Sequence, residues 1–371
     1  MDIIEIIYGA SAMIFAFLIA FTVTPAIRVV SYKLGAVDVP KDDRRMHNTP
    51  IPRLGGLAIF ISFTAATMIF GKFTPAMTAI WLGGCIIVTL GALDDIYKLH
   101  ALIKFAVQLV VALIAVWQGI TIEFINLFGN YIVFGIFEIP ITIIWIIGLT
   151  NAINLIDGLD GLSCGVSAIC SLALLFVTLS THGDTGVALI MGILAGSCLG
   201  FLPFNSNPAK IFMGDTGALF LGYTLAILSL DQLFKFQAVM SFLIPLSIFG
   251  FPILDTAFAI IRRALKGKNP FTTPDRGHLH HRLIDMGFNQ KQSVSILYAI
   301  CGILGVAALM ISNEAWIKAG CIILIGLSVF IITFFIIRNS KTREQAGLGL
   351  PEIPGTNEPD LNNNKDERNG S

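Results

Sequence analysis

The sequence predicts an all-α polytopic membrane protein with about 11 transmembrane helices, its N-terminus outside and its C-terminus cytosolic. Three observations predict it: an apolar composition, a succession of apolar runs of spanning length, and a one-sided distribution of basic residues. Of 371 residues, 55% are hydrophobic and only 13% charged, with a mean hydropathy of +0.80. A soluble domain carries roughly a quarter charged residues. Soluble single-domain and disordered chains are excluded on that ground. The formal net charge is zero, so charge gives no reason to expect nucleic acid as a partner.

The apolar runs fall at 4–31, 54–71, 75–94, 102–119, 140–153, 162–180, 186–204, 213–230, 237–261, 292–312 and 315–337. About 20 apolar residues suffice to cross a bilayer. The run at 140–153 is short and has room to extend at either end. The first run lacks a basic leader, its first charges being Asp2 and Glu5, so it reads as a span and not as a cleavable signal. Residues 120–139 alternate β-branched and aromatic side chains around Gly129-Asn130. That pattern predicts a small extracellular β-hairpin. Residues 339–371 are rich in Asn, Glu, Asp, Pro and Gly and read as a disordered cytosolic tail, which leaves 1–338 as the integral membrane domain. The six cysteines are scattered singly without CxxC spacing and read as small hydrophobes.

Orientation follows from the basic residues. With the N-terminus outside and eleven alternating helices, Lys72, Lys235 and Lys318 are the only three of the 24 Lys and Arg residues to fall outside. Cytosolic loops carry that excess. One missed span would scramble the alternation from that point on.

The chemically equipped residues then gather on the cytosolic side. Asp94 and Asp95 close the third span in GALDDIYK. Asn151, Asn154, Asp157 and Asp160 lie in NAINLIDGLDG, and Asp215 opens the eighth span in FMGDTGAL. His278, His280 and His281 sit in PDRGHLHHRL. Carboxylates at a helix C-terminus face the wrong end of the macrodipole, so some other interaction must offset Asp94 and Asp95. Asp215 suits a helix cap as well as a functional role. Several carboxylates without cysteine suit a hard oxygen-ligated cation such as Mg²⁺, completed by water and substrate phosphates. Histidines and arginines nearby suit phosphate oxygens. The HLHH run read alone also suits zinc, although contiguous ligands on one loop rarely complete a tetrahedral set. These parts together fit phosphoryl transfer, where positioning and charge neutralisation do most of the work. An ion-coupled transporter is the rival from another class, but its acids belong near the midplane on broken helices. Asp255, in FPILDTAF, needs a partner at that depth; bracing through a cytosolic arginine and helix packing are both open.

At these residues the chain resembles the polyprenyl-phosphate N-acetylhexosamine-1-phosphate transferases. The matching segments are DVPKDDRRMHNTPIPRLGG, GALDDIYKLHALIKFAVQ, NAINLIDGLDGL, FMGDTGALFLGY and NPFTTPDRGHLHHRL, in family order over roughly residues 38 to 283. The resemblance implies a multi-pass enzyme of the bacterial inner (plasma) membrane with its active site on the cytosolic face. It implies transfer of a sugar-1-phosphate from a UDP-N-acetylhexosamine to undecaprenyl phosphate, with release of UMP, as the first step of a cell-envelope glycan. It further implies Mg²⁺, with Mn²⁺ as substitute, and a possible homodimer in the lipid bilayer. The PRLGG and DRGHLHHRL forms resemble the WecA/TagO branch and favour UDP-N-acetylglucosamine over the MurNAc-pentapeptide donor of the MraY branch. Carried over by position, Asp215 is the metal ligand and Asp94 and Asp95 lie at the reacting phosphates. Direct attack by the lipid phosphate, with Asp94 as base, is favoured over a covalent two-step route. Asn151, Asn154, Asp157 and Asp160 line the nucleotide-sugar pocket, and His278, His280 and His281 contact the diphosphate. His47, Arg53 and Arg276 are secondary phosphate contacts, with an ordinary positive-inside charge equally open for Arg53.

Overall fold

The computed structural model describes residues 3–39, 50–127, 130–233, 243–267 and 277–313, with isolated positions as far as 323. Helix α1 (Ile3–Lys33) leads into a two-residue antiparallel ladder, β1 (Val37–Asp38) with β2 (Ile51–Pro52). Then come α2 (Gly56–Phe70), α3 (Pro75–Tyr97) and α4 (Ala101–Trp117). The hairpin expected at 120–139 is present: β3 (Phe124–Leu127) pairs antiparallel with β4 (Asn130–Val133), Ile125 opposite Ile132. It feeds α5 (Glu138–Leu155), which extends the short run at both ends. After α5 follow α6 (Leu162–Ser180), α7 (Thr185–Asn205) and α8 (Gly214–Leu233).

The ninth apolar run differs from its expectation of one helix. Its described part forms α9 (Leu243–Ile248) and α10 (Gly250–Leu265), interrupted at Phe249. The histidine segment, expected as loop, forms the short helix α11 (Leu279–Asp285) ahead of α12 (Gln290–Ser312). Asn289 opens α12 with a reciprocal capping box to Gln292, the arrangement that satisfies two free helix N–H groups at once. Apart from those isolated positions, the eleventh run and the tail lie outside the described residues. Six of the described helical segments are long and apolar enough to cross a membrane, while α2 and α4 are shorter apolar helices.

Small residues let the helices approach. Gly196 and Gly200 of α7 lie against the carbonyls of Met13 and Phe17 in α1. The facing stripe of α1 is Ala12, Ala16 and Ala20, all fully buried. Spacing of small residues at four-residue intervals permits close backbone contact where lipid offers no hydrophobic drive between helices. At the centre lies α8, packed by α2, α3, α5 and α6. Gly56 of α2 and Gly91 of α3 abut its backbone at Gly217 and Thr216. The phenol of buried Tyr223 donates to Ala79 O on α3 at 2.9 Å. This packing fixes the first turn of α8, on which the site is built.

Candidate active site

The C-terminal end of α3 and the N-terminal end of α8 are joined by the acid pair. The Asp95 Oδ1 accepts from the Asp215 N–H at 3.1 Å. Its Oδ2 accepts from the Thr216 N–H at 3.1 Å and the Thr216 hydroxyl at 2.7 Å. A carboxylate at the unfavourable end of one helix dipole is thus placed at the favourable end of another. Asp95, and not Asp215, satisfies the free N–H groups of α8. The Asp215 side chain is thereby left for another partner. Gly214, at φ +71°, turns the chain into α8 in the left-handed region, and a Cβ there would strike the Arg53 carbonyl and Asp95. Only glycine adopts that conformation at no steric cost.

The PRLGG segment holds this turn from the other side. Phe212 N donates to Pro52 O at 2.8 Å, Gly55 N to Phe212 O at 2.9 Å, and Gly56 N to Met213 O at 2.8 Å. Two motifs far apart in sequence therefore run together as backbone ladders. The Arg53 guanidinium follows, with Nε 3.8 Å from Asp95 Oδ1 and Nη1 3.9 Å from Asp38 Oδ1.

Asp94 faces a different set. Its Oδ1 accepts from the Leu99 N–H at 2.8 Å and its Oδ2 from Lys104 Nζ at 3.0 Å. The same ammonium donates to Asp215 Oδ2 at 2.9 Å. One cation therefore bridges the acids of two helices, and the Asn154 side chain is a further hydrogen-bonding neighbour of Asp215. Asp157, half-buried in the α5–α6 turn, has its pKa pushed up to about 8, first by burial and then by the carboxylates of Asp215 and Asp95. The acidic neighbours, the second cause of that shift, mark a surplus of negative charge at this end of the bundle.

Other expected residues have protein partners of their own. Asn151 donates to Gln108 Oε1 of α4 at 2.7 Å and receives the Gln108 amide at 3.3 Å. Asp160 Oδ2 accepts from Asn207 Nδ2 at 2.9 Å and the Ala209 N–H at 3.0 Å, so it braces the α7–α8 connection. The histidines come in on α11 and its N-cap, and α10 holds them through Asp255. His278 Nδ1 lies 2.7 Å from Asp255 Oδ2, and Leu279 N donates to Asp255 Oδ1 at 2.8 Å. Asp255 thus braces the site through a histidine. The His278 ring stacks on His280 at 5.6 Å between centroids, and His281 packs against His280 at 4.3 Å. His280 is buried with Nε2 against Gly158, where a Cβ would collide with it. Burial, then His281, lowers its pKa to about 3, so this imidazole is neutral at physiological pH.

The structure thus brings Asp94, Asp95, Asp215, Arg53 and Asn154 into one cluster, with Asp157 coupled to it by charge and the histidines reaching the same turn at Gly158. His47 and Arg276 lie outside the described residues. Sequence reading missed Lys104, Gln108 and Thr216. Lys104 carried a usable signal: a lysine in the first turn of a helix opposes the dipole just as Asp94 does.

Among the described residues no group of three or more His, Cys, Asp or Glu side chains is arranged as a metal cage. The donors fit a cation with few protein ligands nonetheless. Asp94 and Asp215 each place an oxygen within 3.0 Å of one positive centre, the Lys104 ammonium. All-oxygen donors in small number suit Mg²⁺, which keeps waters and substrate phosphates in its shell.

Beside the cluster, between α5 and α10, lies an apolar cavity of about 370 Å³. Ile144, Trp145, Leu149, Ala152, Ile253 and Ile260 line it. Ala152 brings one end of it within a turn of Asn154, and Ile125 brings the other to the hairpin.

An acidic cluster at one end of an apolar bundle, flanked by an apolar groove and a histidine helix, is the kind of site that suits a substrate with both a charged and an apolar part. The glycosyl transferase family 4 pattern matches residues 77–232, which hold Asp94, Asp95, the α5–α6 turn and Asp215. A probable undecaprenyl-phosphate N-acetylglucosaminyl 1-phosphate transferase of Bacillus subtilis is 42% identical over 340 residues, 91% of this chain and 92% of that one. The decaprenyl-phosphate N-acetylglucosaminephosphotransferase of Mycobacterium tuberculosis is 32% identical over 352 residues, 85% of this chain and 87% of its own. The undecaprenyl-phosphate alpha-N-acetylglucosaminyl 1-phosphate transferase of Thermotoga maritima is 34% identical over 266 residues, 71% and 78% of the two chains. This chain belongs to the polyprenyl-phosphate N-acetylhexosamine-1-phosphate transferases of glycosyl transferase family 4.

Proposed function

We propose that this protein transfers N-acetylglucosamine-1-phosphate from UDP-N-acetylglucosamine to undecaprenyl phosphate in the bacterial plasma membrane, from the cytosolic face. The observation that carries the reading is the meeting of Asp94 and Asp215 on Lys104, beside an apolar groove suited to a polyprenyl chain. The relatives' names supply the sugar and the lipid. The positive-inside bias supports eleven spans with the site facing the cytosol.

In this reaction an oxygen of the lipid phosphate attacks the sugar-bearing phosphorus of the donor. A P–O bond forms to the lipid phosphate, the P–O bond to UMP breaks, and UMP leaves with the bonding electron pair. Asp94 takes the proton of a monoprotonated lipid phosphate. Asp95 holds the first turn of α8 so that the Asp215 carboxylate faces the diphosphate. Mg²⁺, held by Asp215 with Asp94 beside it, would supply neutralisation of the charge on the diphosphate when bound. Lys104 and Arg53 add positive charge at the same place. Asn154 and Asp157 line the nucleotide-sugar side, and the histidine helix closes it. Preorganised charges of this kind supply most of the rate in phosphoryl transfer.

The purified protein with undecaprenyl phosphate, UDP-N-acetylglucosamine and Mg²⁺ is expected to release UMP. Asp94→Asn is expected to lower that rate about 10²–10⁴-fold, the contribution of a positioned general base, without loss of membrane insertion. Turnover only with UDP-MurNAc-pentapeptide would overturn the donor, and near-normal turnover of Asp94→Asn would overturn the base.

A further inference from the structure

The histidine helix carries a device that lies outside the acid cluster. Asp255 stands in the second turn of α10, buried, with 7% of its surface exposed. Each of its oxygens has one partner in the next element: Oδ1 takes the Leu279 N–H and Oδ2 meets His278 Nδ1 at 2.7 Å. Helix α11 begins at Leu279 and His278 is its N-cap residue, with no cap bond from its own side chain. The carboxylate of another helix therefore does what the N-cap side chain does not.

A carboxylate has only acceptor sites. His278 facing it must carry its proton on Nδ1. Nε2 at the far side of the ring is then the nitrogen left without a proton, and the ring's orientation decides where it faces. The ring so held stacks on His280, whose Nε2 touches Gly158 in the turn that bears Asp157. Arg262, on the same helix as Asp255, lies against Gly277, the residue before His278.

We infer that Asp255 is a positioning residue for the transfer reaction: it fixes the Nδ1–H tautomer and the ring orientation of His278 while anchoring the start of α11. The role assigned to His278 rests on the transferase reading given above; the tautomer does not.

Asp255→Asn separates this from simple bracing. An asparagine has one acceptor oxygen and one amide donor. With its oxygen kept on Leu279 N, its NH₂ faces His278 Nδ1, which must then accept, and the proton moves to Nε2. The capping bond survives and the tautomer reverses. In protein labelled with ¹⁵N-histidine, only six imidazoles report, and His278 is assigned by its loss in His278→Asn. The wild type is expected to show Nδ1–H and Asp255→Asn to show Nε2–H. An Nε2–H tautomer in the wild type, or the same tautomer in both, overturns the inference whatever the reaction is.

In the UMP-release assay, Asp255→Asn is expected to lower kcat about 10–100-fold, as for other groups that orient a working imidazole. In a His278→Asn background the same substitution is expected to cost nothing further, because coupled residues are non-additive. Equal multiplicative losses in both backgrounds, or wild-type turnover of Asp255→Asn, would show a merely structural acid. A wild-type protein that releases no UMP would refute the transferase reading alone, leaving the tautomer result to stand or fall by itself.

Discussion

Helices α1 and α8 look alike in the sequence, both being long apolar runs, yet they occupy opposite environments. In α1 the buried side is a narrow stripe of Ala12, Ala16, Ala20, Thr24, Ile27 and Ser31, and Ile14, Leu18 and Phe21 face outward. In α8 every residue from Thr216 to Leu230 is buried. A helix that is hydrophobic all round can be lipid-facing or enclosed by other helices, and hydropathy does not distinguish the two. The difference decides what each helix can do. A lipid-facing helix has to supply only an apolar surface, whereas the enclosed one can hold a charged side chain at a fixed place. The sharpest test of that contrast is Asp215→Asn set against Leu18→Ala. Removing the acid from the mouth of α8 is expected to cost about 10³-fold or more in UMP release, in line with loss of a preorganised charge. Trimming the outward face of α1 is expected to leave turnover within about twofold. Comparable losses at the two positions would dissolve the comparison.

The same contrast extends to glycine. Gly9 of α1 has open space around it, so a Cβ there meets nothing within 4 Å. A Cβ on Gly56 would run into the backbone of Gly217 on α8. Backbone cannot rotate away as a side chain can, so α2 would have to withdraw. Gly56→Ala is expected to destabilise by about 1–3 kcal/mol, the range for an overpacked core, and Gly9→Ala to be neutral or slightly stabilising. Thermal unfolding of the two variants in the same detergent measures this. A Tm for Gly56→Ala at or above that of the wild type would mean that α2 and α8 do not meet at these glycines.

Much of this was legible in the sequence, and what was not has identifiable causes. Spanning runs announce themselves through composition, so the helices from α1 to α8 and α12 fall where the apolar runs predict. The hairpin declared itself through Gly129-Asn130 and alternation. The break at Phe249 did not, because an apolar run reads the same whether or not its helix is interrupted. Asp94, Asp95 and Asp215 stood out as acids placed at helix ends. Their division of labour was hidden, since only a cross-helix bond shows that Asp95 caps α8 and leaves Asp215 to Lys104. Asp160 and Asn151 carried the same polar signature as Asn154, yet their partners turned out to be Asn207, Ala209 and Gln108. A motif states which residue types are present, and packing decides which protein partners each of them meets. Gly158 shows the converse: its glycine is required by the His280 ring pressed against it, a fact about residues 122 positions apart in the chain.

The last contrast concerns the charge surplus at the site end, and it is readable as stability against pH. The Asp157 carboxyl has a folded pKa of about 8 against an ordinary 3.8, raised first by burial and then by its acidic neighbours. Between those values the folded protein keeps a proton that the unfolded chain has released. Its contribution to stability is fully present below about pH 4 and is lost as pH rises through about 8. In chelator, Tm is therefore expected to fall as pH is raised from 5 to 9. Asp157→Asn cannot ionise and is expected to show a shallower fall, with the remaining slope belonging to the other acids. Mg²⁺ neutralises part of the surplus and is expected to flatten the wild-type slope while doing less for Asp215→Asn. Identical slopes for wild type and Asp157→Asn would remove Asp157 from the acidic cluster. Enclosure would then account for Asp215 and Lys104 but not for the turn between α5 and α6, and the nucleotide-sugar side of the site would have to be sought elsewhere.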